Sequence, residues 1–242
     1  MTISADHIVT MSTYVGAGFA MGLGAIGSAI GIGLGAGEAG RAVARQPSGY
    51  NEIFKTMLIG QAATETSAIF SLMVAILLLF VALPGEGPAG AAARLGAGFA
   101  MGLGALGPGI GVGLANAGAC RAVGRRPETS TDVTTVMLIG QSVAESSAIF
   151  SLIVALLLAL QSSATTDVAV VCKFIGAGLC MGLGALGPGY GSGVAAQFAV
   201  YSVGCNVRHK PAIMRTMLLG QAVSQSTATY SLCIALMLMY AV

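Results

Sequence analysis

Three residues at one register of the chain invite a chemical reading: Glu65, Glu145 and Gln225, each 80 residues from the last. They lie in QAATETSAIFSL from 61, QSVAESSAIFSL from 141 and QAVSQSTATYSL from 221. An ionised carboxylate at the centre of a bilayer costs at least about 2.5–3.5 kcal/mol on insertion scales. Desolvation disfavours its charged form. Such an acid is expected to rest neutral until an ion or a cationic partner approaches, and so can load and release a cation. Gln225 keeps nearly the shape of a protonated Glu but stays neutral at every pH.

The neighbours fit a binding site. Gln61 and Gln141 precede the acids by four residues, which places them on the same helical face. Thr66 and Ser146 follow directly, and Ser67 and Ser147 offer further hydroxyls. Back-bonding to the helix's own carbonyls is the competing use of such hydroxyls. The support expected around the ion is Gln61, Ala63 and Thr66 in the first unit, and Gln141, Val143 and Ser146 in the second.

The elements that must position these groups are membrane helices. Of 242 residues, 55% are hydrophobic and only 8% charged, against about 25% charged in a soluble domain. Residues 8–37, 95–120, 174–207 and 216–242 carry no Asp, Glu, Lys or Arg. Residues 56–85 and 133–166 carry one each, Glu65 and Glu145. About 20 apolar residues span a bilayer as a helix. Six spanning helices in an all-α fold are therefore expected, with both termini on one side.

Most basic residues fall in three connections: Arg41, Arg45 and Lys55; Arg121, Arg125 and Arg126; Arg208, Lys210 and Arg215. The opposite connections hold Arg94 and Lys173. The positive-inside bias predicts cytoplasmic basic loops and both termini on the opposite side. No basic stretch reads as a nucleic-acid footprint. The N-terminal MTISADHIVTMSTY lacks a basic n-region and a small-residue cleavage site, so no removable signal is expected. Cys120, Cys172, Cys180, Cys205 and Cys233 lack paired spacing, which argues for apolar packing rather than a disulfide framework or metal site.

The same hairpin is written three times. GAGFAMGLGA at 16–25 returns unchanged at 96–105 and as GAGLCMGLGA at 176–185. The expected units are 1–83, 84–163 and 164–242, each a glycine-rich helix, a polar loop and a leucine-rich helix. Connections are expected near 83–94 and at 161–167. Glycine is a poor helix former in water. In lipid, unpaired backbone groups are not tolerated, so the helix persists and the missing side chains permit close helix approach. Glycines on more than one face suggest neighbours on more than one side. GLGAIG at 22–27 and GLGALG at 102–107 and 182–187 match a dinucleotide fingerprint. They lie in charge-free spans with no preceding strand, and packing is the better account.

A glycine-rich helix, an arginine loop (VARQP at 43–47, VGRRP at 123–127) and a helix with one central Glu resemble the c-ring proteolipid of F-type rotary ATP synthases. The threefold fusion is similar to the multi-hairpin proteolipids of vacuolar-type and archaeal-type rotary ATPases. The resemblance implies a homo-oligomeric ring turning in lipid against the stator and its arginine. Glu65 and Glu145 would each accept a cation, cross the lipid as neutral groups and release it, while Gln225 would be a degenerate, non-titrating site. The central stalk of the soluble ATPase sector would touch Arg45, Gln46 and Pro47, and Arg125, Arg126 and Pro127. The third unit reads Cys205, Asn206, Val207 there, which puts that contact in doubt.

The coupling ion follows less directly. Sodium-coupled relatives pair a Ser or Thr after the Glu with a Gln in the first helix. The matching first-helix positions are Ile32, Val112 and Ser192, and Phe70 and Phe150 replace the family's site tyrosine. That departure favours protons, with Na⁺ at Glu65 and Glu145 as the alternative. No cofactor, resident metal or catalytic centre is expected, so ATP chemistry would belong to partner subunits. A self-contained channel or carrier of repeated hairpins is the rival; its repeats would be parallel and it shows no substrate pocket. A purely structural membrane oligomer would not need two buried acids at a fixed interval.

Overall fold

The computed structural model describes residues 5–163 and 165–240. Six long helices carry the chain: α1 (Ala5–Arg45), α2 (Tyr50–Phe80), α3 (Gly87–Val123), α4 (Ser130–Ala159), α5 (Val168–Cys205) and α6 (Lys210–Tyr240). All six are long and apolar enough to cross a membrane. They form three antiparallel pairs, α1–α2, α3–α4 and α5–α6, and no strand occurs among the described residues.

Each pair turns through a single 3₁₀ turn, Pro47–Gly49, Pro127–Thr129 and Val207–His209. The residue before a proline is pushed out of the α region, and Gln46 (φ −136°, ψ 74°) and Arg126 (φ −142°, ψ 85°) obey. Asn206 adopts the same corner (φ −149°, ψ 84°) before Val207. The third turn thus keeps its shape without the proline.

The connections between pairs depart in part from the sequence expectation. The stretch near 83–94 reads as linker, yet α3 already begins at Gly87. Pro88 suits a first helical turn, where its missing N–H goes unused, and the alanine run behind it favours helix. Gly85 (φ 91°) and Gly87 (φ 64°) make the bend in the left-handed region that other residues avoid. In the 161–167 connection residue 164 lies outside the described residues. Asp167 closes it by capping α5, its Oδ1 accepting from the Ala169 N–H at 2.9 Å. Pro108 and Pro188 lie inside α3 and α5, which continue through them.

The helices stack as a two-layer wall. One row runs α1, α3, α5 and the other α2, α4, α6, with α2 seated against α1 and α3, and α4 against α3 and α5. The glycine-rich row packs backbone on backbone: Gly98 lies on Gly16 and Gly178 on Gly96, Gly113 on Gly31 and Gly193 on Gly111. A β-carbon at Gly113 would overlap the Gly31 backbone. Overpacking of this kind costs about 1–3 kcal/mol, and a backbone obstacle cannot rotate away. Gly113→Ala is accordingly expected to lower the thermal unfolding midpoint of the detergent-solubilised protein; an unchanged midpoint would show that the two helices can part.

Candidate ion-binding site

The two layers bring positions 145 and 225 to the boundaries between successive helix pairs and leave position 65 on the open side of the first pair. Glu145 projects from the middle of α4 towards α2, where its Oε1 accepts from the Ser67 hydroxyl at 2.9 Å. The donor belongs to the preceding hairpin, so one acid is served by two repeats. Thr66, also on α2, lies within reach of the same carboxyl. No salt bridge involves Glu145 among the described residues. The Glu145 carboxyl is half-buried, with a neutral hydroxyl as its hydrogen-bond donor.

The hydroxyls expected to serve their own acids are otherwise engaged. Thr66 Oγ1 donates to the Ala63 carbonyl at 2.6 Å and Ser146 Oγ to the Val143 carbonyl at 2.7 Å. Both are back-bonds within the helix, which leave the oxygen lone pairs but not the proton available. Ala63 and Val143 thus enter the arrangement through their carbonyls. The Val143 carbonyl also accepts from Gln225 Nε2 at 3.0 Å, and the second amide proton of Gln225 goes to Ser192 Oγ at 3.1 Å. Gln225 is nearly buried, and its Oε1 has no partner. The amide therefore holds α6 to α4 and to α5.

Gln141 does a job that sequence spacing did not reveal. Its Nε2 donates to the Gly60 carbonyl of α2 at 3.2 Å and to the Val112 carbonyl of α3 at 3.0 Å. Gln221 repeats the arrangement at Gly140 (2.9 Å) and Ser192 (3.0 Å). Each glutamine staples its helix to its own glycine helix and to the preceding hairpin. Gln61, the first of the series, has no preceding hairpin within the chain. Sequence reasoning also passed over Asn116, which is fully buried and donates to the Met57 carbonyl at 3.3 Å. It stands where the other repeats have Ala36 and Ala196, and that break in the repeat was the available clue.

Glu65 stands apart. It is exposed on α2, beside an open groove against α1 that includes Ser28 and Ala29. The hydroxyl of Ser28 is buried without a hydrogen-bond partner.

The turns gather at one end of the wall. Arg45 donates through Nε to the Arg41 carbonyl and lies 3.8 Å from Glu38, which Arg41 pairs at 2.6 Å. Gln46 reaches Ser48 at 3.3 Å, and Pro127 packs at Gly49. Arg125 stacks over Tyr201, and Arg126 donates to the Cys205 carbonyl at 2.8 Å. The basic residues of the second turn thereby tie it to the third hairpin, while Arg45 keeps about half of its side chain exposed.

Comparison with known proteins gives the same threefold pattern. The ATP synthase C-subunit family matches three times, over residues 15–78, 95–158 and 175–238. The chain is 52% identical over 78 residues to the ATP synthase c-subunit of Alkaliphilus oremlandii, which covers 32% of this chain and 88% of that protein. The ATP synthase c-subunit of Natranaerobius thermophilus is 42% identical over 78 residues, covering 32% of this chain and 90% of the relative. The chloroplastic ATP synthase c-subunit of Phaeodactylum tricornutum is 43% identical over 75 residues, covering 31% and 92%.

Proposed function

The chain belongs to the ATP synthase C-subunit family, and from that premise we propose that it is a proton-carrying rotor unit in which Glu65 and Glu145 titrate and Gln225 does not. Membership makes it a non-catalytic membrane component with an ion-translocating rotor role in ATP synthase. The observation that carries the finer proposal is the Glu145 carboxyl, set in mid-helix between two hairpins with a neutral hydroxyl as its donor. Held this way it can accept a proton, pass lipid without charge, and give the proton up where a cation stabilises the carboxylate. The arginine of the stator would supply that cation. Gln225, whose two amide protons are already bonded, crosses the same path unchanged.

Copies of the chain would close into a ring with the basic turns facing the cytoplasm and both termini opposite. Arg45, Gln46, Pro47, Arg125, Arg126 and Pro127 would then face the central stalk. Arg126 and Arg125 already bind the third hairpin, so the stalk would meet the second and third turns as one surface. Three hairpins with two acids per chain lower the ions carried per turn relative to the hairpin count.

Carbodiimide, which reacts with protonated carboxyls in apolar surroundings, tests the ion. Labelling of Glu65 and Glu145 in the purified assembly is expected to fall as pH rises and to be indifferent to added Na⁺. Protection by Na⁺ but not K⁺ at fixed pH would replace the proton with sodium as the coupling ion.

A further inference from the structure

A groove between α2 and α4 is polar, although the row of α2, α4 and α6 carries many exposed apolar side chains. Glu52, Lys55 and Thr56 of α2 line it from one side and Ser130, Thr131 and Thr134 of α4 from the other, around a cavity of about 170 Å³. α3 packs behind both helices but contributes no lining residue, so the groove opens on the outer face. Its depth is that of a bilayer interface. Positions 65 and 145 lie near the middle of the apolar spans Pro47–Phe80 and Pro127–Ala159. At about 1.5 Å per residue, Glu52 is about 20 Å from position 65 along α2, and Leu138 is about 10 Å from position 145 along α4. The hydrocarbon core of a bilayer is about 30 Å thick, so its boundary falls between those two depths. The groove thus has a charged end at headgroup depth and an apolar end, at Ile59 and Leu138, at acyl-chain depth.

The groups in the groove are only partly engaged. Glu52 Oε2 accepts from the Ser130 hydroxyl at 2.9 Å, and Oε1 has no hydrogen bond among the described residues. Lys55 is exposed and makes no salt bridge among the described residues. The Thr56 and Thr134 hydroxyl oxygens lie 3.4 Å apart; one proton serves that pair, which leaves the other free to donate. A carboxylate oxygen, an ammonium and a hydroxyl proton therefore face one cavity, and the two formal charges cancel. We propose that this groove binds the headgroup of phosphatidylethanolamine, a phospholipid with a primary ammonium. The lipid ammonium donates to Glu52 Oε1, the phosphate meets Lys55 and the threonine hydroxyls, and an acyl chain lies over Ile59 and Leu138. A choline headgroup has no N–H to offer Glu52. A headgroup whose only charge is its phosphate leaves that carboxylate unpaired and is repelled by it.

The matching place between α4 and α6 shows the same chemistry satisfied from within. One 80-residue period after Glu52 and Ser130 stand Asp132 and Lys210, and Lys210 Nζ donates to Asp132 Oδ1 at 2.8 Å. There the chain itself supplies the ammonium that the first seam lacks. Val136 and Met214 stand where the first seam has Thr56 and Thr134, so no hydroxyl pair is left to receive a phosphate. The lipid site therefore belongs to the seam between the first two hairpins, the one that also carries Glu145.

Native mass spectrometry of the delipidated full-length assembly in detergent, with dioleoyl lipids added back, tests this. Dioleoylphosphatidylethanolamine is expected to be retained at one per chain, several-fold more than the choline or glycerol phospholipid with the same chains. Glu52→Gln is expected to bring its retention down to that of the choline lipid, and Lys55→Met to lower it several-fold. Glu128→Gln, which removes an exposed acid from the neighbouring turn, should leave retention unchanged. Ser130→Lys copies the second seam; its ammonium should pair with Glu52 and displace the lipid from an assembly of unchanged protein mass. Equal retention of the three lipids, preference for the glycerol lipid, or ethanolamine-lipid retention unaltered by Glu52→Gln and Ser130→Lys overturns the proposal. Only the membrane crossing of α2 and α4 enters here, so loss of the proton-carrying role would leave these outcomes unchanged.

Discussion

Gln225→Glu is expected to raise the ions moved per ATP by half, because each chain would then carry three acids, at 65, 145 and 225, instead of two. The surroundings can accept the change. Ser192 Oγ, which now accepts from the amide at 3.1 Å, can turn its proton towards a carboxylate. Ser147 stands to position 225 as Ser67 stands to Glu145, and its present bond to the Ala144 carbonyl is a long 3.4 Å. The Val143 carbonyl, which keeps the Ser146 hydroxyl, would lose its second donor on α6 when the acid ionises and regain it when the acid is protonated. Each elementary charge crossing the membrane delivers about 2.3 kcal/mol per 100 mV. With ATP per turn fixed, the natural chain moves fewer charges per ATP and can pump against a steeper gradient. Synthesis by the same rotor would need a larger driving force. The variant should therefore show a higher ion-to-ATP ratio together with a lower limiting gradient. An unchanged ratio in an assembled, turning ring would remove Gln225 from the coupling.

The double substitution Glu65→Gln with Glu145→Gln is expected to abolish ion transport while leaving the ring assembled. No carboxyl side chain would remain at this depth in any hairpin. Assembly should survive because Gln225 already shows how an amide sits there, with one N–H on the carbonyl of the preceding hairpin. At position 145 the corresponding carbonyl belongs to Ala63, and Ser67 remains within reach as a hydroxyl partner. The second bond of Gln225, to Ser192, has no counterpart, because position 112 is valine. A modest loss of thermal stability should accompany the loss of flux, on the scale of about 1 kcal/mol for one intramembrane hydrogen bond. Flux through reconstituted rotor and stator is the measurement. Persistent transport by the double variant would mean that the ion follows a path without these carboxyls.

Some features of the site could be read along the chain because they depend only on nearby residues. The apolar runs, the basic turns and the 80-residue recurrence of Glu65, Glu145 and Gln225 are of this kind. Hydropathy commits each run to a helix of bilayer length, and a repeat forces equal depth on equal positions. The stretch near 83–94 is the opposite case. Its small residues read as loop, yet Pro88 and the alanines after it also suit a helix start, and only the packing of α3 between α1 and α5 selected that outcome.

By itself, the sequence determined that six apolar helices in three like pairs carry an acid, an acid and an amide at one depth, and that these helices cross a membrane. What only the tertiary structure decided is which repeat serves which site. Ser67 lies two residues after Glu65 but donates to Glu145, and Gln141 spends both amide protons on carbonyls of two other helices. Sequence spacing reports the faces of one helix. The partner of a face is set by how closely neighbouring helices approach and how they are rotated. Here that approach is set by glycine backbones in contact at Gly31–Gly113 and Gly111–Gly193, whose absent side chains leave no trace of their partners in the chain itself.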